Sequence, residues 1–139
     1  LGREHRYKKI GKTVATQSNC NYQMSALLIR KGNIISQGFN KRGYRGSSRH
    51  AEIDALKQVE RQKTGAEGAD LWLFRFGGMN KITHMMSKPC SHCIEAIYAA
   101  GVKRVYYYDW EGTLQVIKMN QVNLQDYYTI YRPSSPCCR

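Results

Sequence analysis

Four residues carry most of the chemical promise of this chain. His50 and Glu52 stand two apart in "RHAEIDAL" (49–56), and Cys90 and Cys93 stand three apart in "KPCSHC" (88–93), directly after Pro89. Thiolate and imidazole together favour zinc. Three protein ligands leave the fourth tetrahedral position open for water, the mark of a catalytic rather than a structural site. Glu52 is an acid two residues from a candidate ligand. A carboxylate so placed can take a proton from an activated water and pass it to a substrate. Each pattern alone is weak: a Cys-x-x-Cys pair also suits a redox couple, structural ligands or two core thiols. A dithiol reading, however, explains neither His50 nor Glu52.

The surrounding sequence supplies elements able to bring these residues together. Residues 3–16 carry Tyr7, Ile10 and Val14 at helical spacing. Two strand-like runs, 23–30 and 33–39, flank "KGN", where Gly32 supplies a hairpin turn. The loop 40–49 holds two Gly, two Ser and four Lys or Arg. A helix is expected from His50 to Gln62, with Ser48 as a possible cap. "LWLFRF" (71–76) reads as a buried strand. A further helix runs from Cys90 to Ala100, opened by Pro89 and closed by Gly101. Strands follow at 103–109 and 114–119, although the run from Thr113 also reads as a helix. Each short pattern thus opens a helix that follows a strand and a loop, where α/β folds place their sites. Only "WEGT" separates the last two strands. A parallel crossover needs about a dozen residues or more, so these strands should pair antiparallel.

At His50-x-Glu52 and Pro89-Cys90-x-x-Cys93 the chain resembles the zinc-dependent cytidine deaminase superfamily, whose signature is H-x-E with P-C-x-x-C. The resemblance covers roughly residues 22–119. It implies an α/β fold: a single mixed five-stranded sheet with helices on both faces. It implies one zinc ion held by His50, Cys90 and Cys93, with Glu52 as the catalytic proton shuttle. Attack of activated water on the amine-bearing ring carbon would release ammonia, giving uracil from cytosine or hypoxanthine from adenine. Substrate contacts would come from Asn40, which ends a Gly-x-Asn and would reach the sugar, and from the backbone of Ala51 and of Ser87 or Lys88. Tyr106 and Tyr108 resemble the aromatic strand of polynucleotide cytosine deaminases, and one of them would stack near the base; a core role for both is the competing reading. His5, His84 and His92 carry no signal. Within the superfamily, transfer-RNA adenosine deaminases and the polynucleotide editing group place a helix and a parallel strand where this chain has "WEGT". Free-cytidine deaminases and several toxin deaminases place a hairpin there.

Charge points elsewhere. The chain has 139 residues and a net charge of +12, from 22 Lys and Arg against 10 Asp and Glu. Hydrophobic residues make up 42%, enough for one core and too many for a disordered chain. The expected organisation is one zinc deaminase domain, residues 1–132, with a Pro/Ser/Cys tail, 133–139. A polyanionic partner fits the charge, and Lys41, Arg42, Arg45 and Arg49 lead into His50 as candidate nucleic-acid contacts. The expected activity is therefore deamination of cytosine in single-stranded nucleic acid, DNA favoured, by a monomer. The alternatives are a free cytidine or deoxycytidylate deaminase, an RNA adenosine deaminase, and a non-catalytic zinc-stabilised nucleic-acid-binding module. Glu52 speaks against the last. No apolar run is long enough to span a membrane, and "LGREHRYKKIGK" lacks the apolar core of a signal peptide. Cys20 reads as a buried or neutral thiol, and the spacing of Cys90 and Cys93 suits metal or redox chemistry in an intracellular, reducing compartment.

Overall fold

A computed structural model describes residues 2–43, 48–77, 86–125 and 127 of the chain. The tail 133–139, Arg45 and His84 lie outside these residues. The elements run α1 (Gly2–Ala15), β1 (Gln23–Arg30), β2 (Asn33–Phe39), β3 (Lys41–Arg42), β4 (Ser48–Arg49), α2 (Ala51–Val59), β5 (Asp70–Phe76), α3 (Ser91–Ala99), β6 (Arg104–Tyr108) and β7 (Leu114–Lys118). A short 3-10 turn follows at Met119–Gln121.

The hairpin expected around Gly32 forms with the expected bounds. Lys31 and Gly32 both take positive φ, 52° and 79°, the pattern of a two-residue turn whose twist matches its strands. The main sheet has the order β2-β1-β5-β6-β7. β1 pairs antiparallel with β2 and β5, β5 pairs parallel with β6, and β6 pairs antiparallel with β7. The short "WEGT" connection therefore makes the expected antiparallel hairpin. Asp109 closes it, its Oδ1 accepting the N–H groups of Glu111 and Thr113. Lys41–Arg42 and Ser48–Arg49 form a separate two-stranded ladder, which the sequence pattern did not reveal.

Strand alternation divides the core in two. Ala26, Leu28, Leu71, Leu73 and Val105 face α2 and α3, packing with Ala55, Val59, Ile94 and Ile97. Leu27, Ile29, Trp72, Phe74 and Tyr108 face α1, packing with Tyr7 and Val14. Two glycines permit close contact. A Cβ on Gly38 would lie 2.4 Å from Ala55 N and 2.7 Å from Ala51 O, so only glycine lets the start of α2 sit on β2. A Cβ on Gly11 would meet the Phe74 ring at 2.4 Å. Among the described residues no helix is long and apolar enough to cross a membrane.

Candidate active site

Both expected helices form, and both begin one residue later than the sequence suggested. His50 and Cys90 occupy their N-cap positions, in extended backbone (φ −73°, ψ 151° and φ −73°, ψ 169°), and neither side chain caps its helix. Ser48 lies in β4 rather than at the cap. The imidazole and the thiol are thus free of the capping role, and the positive helix ends stand beside them. The helices lie side by side, so His50 Nδ1 comes within 3.8 Å of Cys90 Sγ and 3.2 Å of Cys93 Sγ. All three ligand atoms lie within 4.8 Å of one another. A tetrahedral zinc with bonds of about 2.0–2.3 Å requires ligand separations of about 3.5–3.8 Å, so the donor set and its spacing fit the ion.

The thiols are coupled. The hydrogen bond from Cys93 holds the Cys90 thiol down to about 4, against a smaller opposing effect of burial. The same contact, then burial, pushes Cys93 up. One proton shared by two sulfurs leaves a thiolate ready for a cation at neutral pH.

Glu52 follows in the first turn of α2 and is 1% exposed. Its Oε1 is buried and finds no hydrogen-bond partner among the described residues. Burial pushes its carboxyl above the usual carboxylate range, opposed by a backbone hydrogen bond and by His50. An unsatisfied carboxylate oxygen beside a metal-binding triad is poised to accept a hydrogen bond from water or substrate.

The other expected contacts are placed as follows. Ala51 is buried. Asn40 is buried too; its Nδ2 donates to Tyr22 O and its Oδ1 accepts from Met24 N–H, both at 2.8 Å, tying the end of β2 to the start of β1. Ser87 stitches β5 to β6: its Oγ donates to Leu73 O at 3.0 Å and accepts Tyr108 N–H at 2.8 Å. Lys88 is half-buried, its ammonium 5.1 Å from the Tyr127 ring and 5.9 Å from the Tyr107 ring, and burial lowers its pKa. Tyr127, which the sequence did not single out, donates its hydroxyl to Pro89 O beside Cys90.

Further expected residues have contacts of their own. Tyr106 and Tyr108 belong to the α1 side of the sheet, opposite α2 and α3. Tyr106 stacks on Trp72 at 4.3 Å, and Tyr108 is buried with its hydroxyl on Glu4 Oε2 at 2.9 Å. Strand parity put them on one face together, but only the packing of α1 decided which face. Lys41 and Arg49, two of the expected nucleic-acid contacts, form ion pairs. Both share Asp54, at 3.1 and 3.2 Å. Arg42 is exposed, its backbone held by Asn19. Asp54 was legible in part: three residues after buried Ala51 and next to Ala55, it falls on the inner stripe of α2, directly after a basic loop. Cys20 is disulfide-bonded rather than a free thiol.

Residues 3–109 match the family model described as the cytidine and deoxycytidylate deaminase zinc-binding region. Among solved structures, the apo form of the dCMP deaminase of cyanophage S-TIM5 is similar, 24% identical over 76% of this chain and 82% of that one, with a TM-score of 0.60. The same enzyme in complex with dCMP and dUMP gives the same TM-score. The cytidine deaminase of Burkholderia pseudomallei is 17% identical over 84% of this chain and 92% of that one, with a TM-score of 0.64. At these identities the likeness is one of fold. A search of curated proteins found no match.

Proposed function

The chain belongs to the cytidine and deoxycytidylate deaminase family, and from that premise we propose that it hydrolyses the 4-amino group of cytosine in a free nucleoside or nucleotide, cytidine or deoxycytidylate. The observation that carries the reaction is the buried Glu52, with Oε1 unpartnered, beside the His50, Cys90 and Cys93 triad. In this reading those three residues hold one zinc ion. Zinc supplies Lewis-acid activation of water at neutral pH. Glu52 takes the two protons of the attacking water in turn, delivering one to the ring nitrogen and the other to the departing amine. The C4–N bond breaks, a C4=O bond forms, and cytosine plus water becomes uracil plus ammonia. Burial of Glu52 keeps bulk water from competing for that proton. In this reading Asn40, whose side chain is anchored on Tyr22 O and Met24 N–H, supplies the contact to the sugar.

Two features support a monomeric substrate over a polynucleotide. The antiparallel β6–β7 hairpin has the arrangement expected of free-cytidine deaminases and of several toxin deaminases, and not that expected of the polynucleotide editing group. The cations expected to grip a phosphate backbone at Lys41 and Arg49 are engaged by Asp54. Net charge favours the second reading, single-stranded DNA, since +12 exceeds what one phosphate requires.

The two separate in one assay. Zinc-loaded protein is given cytidine, deoxycytidylate and cytosine-containing single strands across a salt series, and uracil is read by mass. The monomer reading expects turnover of the free substrates that changes little with salt. The polynucleotide reading expects inert monomers and oligonucleotide binding that falls with a log–log salt slope of about −0.7 per phosphate contact. No uracil from any substrate would sink the cytosine assignment.

A further inference from the structure

The proposed reaction leaves one buried carboxylate unused. Asp54 lies one helical turn after His50 and is 1% exposed. A carboxylate is tolerated at such depth only when paired and hydrogen-bonded. Asp54 Oδ2 accepts the Phe39 N–H at 3.1 Å. Its Oδ1 accepts from Lys41 Nζ at 3.1 Å and from an Arg49 guanidinium nitrogen at 3.2 Å. Its own N–H donates to His50 O at 3.0 Å.

These donors come from three points along one connection. Phe39 ends β2, Lys41 lies in β3, and Arg49 ends β4. Asn40 stands between the first two, and His50 follows the third. The strand-to-helix connection is therefore fastened near both ends to the helix it leads into. The fastening matters because His50 directly follows Arg49 and its carbonyl accepts the Asp54 N–H, so what grips Arg49 and Asp54 bears on the backbone of His50. A metal ligand at a helix entry is placed in part by what grips its neighbours.

We propose that Asp54 is a positioning residue, which gathers the Phe39 N–H, Lys41 and Arg49 on one carboxylate and so sets the place of His50 and Asn40. It touches neither metal nor substrate. The proposal rests on the zinc-deaminase reading for its effect on turnover, but its effect on zinc retention needs no substrate.

The test uses the zinc-loaded full chain with Asp54→Asn, Arg49→Met, Lys41→Met and the Asp54→Asn/Arg49→Met pair. Asparagine still accepts from Phe39 but offers no charge to the two cations. Zinc transfer to a chelating dye should be about tenfold faster in Asp54→Asn, and kcat about tenfold lower, with KM changed by less than about threefold. Arg49→Met should move both in the same direction by less. Combined with Asp54→Asn it should add little, because both act through one contact. Unchanged zinc release and kcat in Asp54→Asn, with only a lower melting temperature, overturns the proposal: the carboxylate then merely holds the fold. Where Asp54→Asn fails to fold, the two cation variants decide, since Lys41 and Arg49 are partly exposed at 36% and 46%. Wild-type zinc release and kcat in both overturns it as well. Failure of the substrate reading looks different, as native protein that holds zinc but leaves cytidine and deoxycytidylate untouched.

Discussion

The two faces of the sheet are built from different material. On the α2–α3 face an aliphatic core of Leu28, Leu71, Leu73, Ile94 and Ile97 is joined by small and polar groups: Ala26, Ala51 and Ala55, two buried carboxylates, and three ligand atoms within 4.8 Å. On the α1 face they are large rings. Tyr7 meets Trp72 edge-on at 5.1 Å, Trp72 stacks on Tyr106 at an interplanar angle of 13°, and Phe74 lies 5.9 Å from Tyr108. Cations cap this stack, with Arg3 over Trp72 and Tyr106 and Lys8 over Tyr108. Small side chains let two helix N-termini come close to the sheet, where their dipoles and ligands converge. Rings bury large areas and fix the sheet, but bring no group to the metal ligands. Chemistry and ballast are thus separated by a single layer of backbone.

The largest expected effects lie on the first face. Glu52→Gln should keep the fold and the zinc while kcat falls about 10³-fold or more, because the water's proton loses its acceptor. Cys90→Ala should lose the zinc itself, read by metal analysis of purified protein. Substantial turnover by Glu52→Gln, or full zinc in Cys90→Ala, would remove the ground for calling this face the chemical one. The matching test across the sheet is Trp72→Ala. Trp72 is buried between Tyr7, Phe74 and Tyr106, so its removal should cost about 3–5 kcal/mol of stability by denaturant titration. The kcat of the molecules that remain folded should hold.

What the sequence made legible follows from the same division. His50, Glu52, Cys90 and Cys93 could be read because their spacing is local, within single turns that open two helices. The β1–β2 hairpin could be read from Gly32, and the antiparallel β6–β7 pairing from the length of "WEGT". Tyr106 and Tyr108 could not be placed, because alternation shows which residues share a face but not which helix covers it. Asp54 was overlooked because its partners Phe39, Lys41 and Arg49 lie five to fifteen residues away and meet it only once the connection folds back. The same folding brings Lys41 and Arg49, two of the expected nucleic-acid contacts, into ion pairs with Asp54. Arg45 and the 133–139 tail lie outside the described residues.

A smaller effect tests whether close approach is what the first face requires. A methyl on Gly38 would press on Ala55 N and Ala51 O, both backbone atoms that cannot swing aside. Gly38→Ala should therefore push back the start of α2, where His50 and Glu52 sit, costing about 1–3 kcal/mol of stability. Unlike Trp72→Ala, it should also lower the kcat of folded protein. A variant that loses stability alone would mean that the site tolerates a displaced helix.

The smallest expected effect is the most discriminating. Tyr108 spans the division: its backbone N–H donates to Ser87 Oγ on the strand leading to Cys90, while its side chain lies with α1 and donates to Glu4. Tyr108→Phe removes only the hydroxyl. The ring, its contact with Phe74 and the backbone bond to Ser87 all remain. The loss of one hydrogen bond to a partly exposed carboxylate should cost about 1 kcal/mol, lowering the urea midpoint without changing the slope. If the rings serve only to fix the sheet, kcat and KM for cytidine and deoxycytidylate should equal those of the native protein. A stacking role would leave the ring's contribution intact here but lose it in Tyr108→Leu, so that variant completes the test. A rise in KM in Tyr108→Leu, at equal folded fraction and unchanged zinc content, would place Tyr108 among the substrate contacts after all, and the two faces would no longer differ in kind. The geometry points the other way, because Tyr108 is fully buried and its side chain lies across the sheet from every metal ligand.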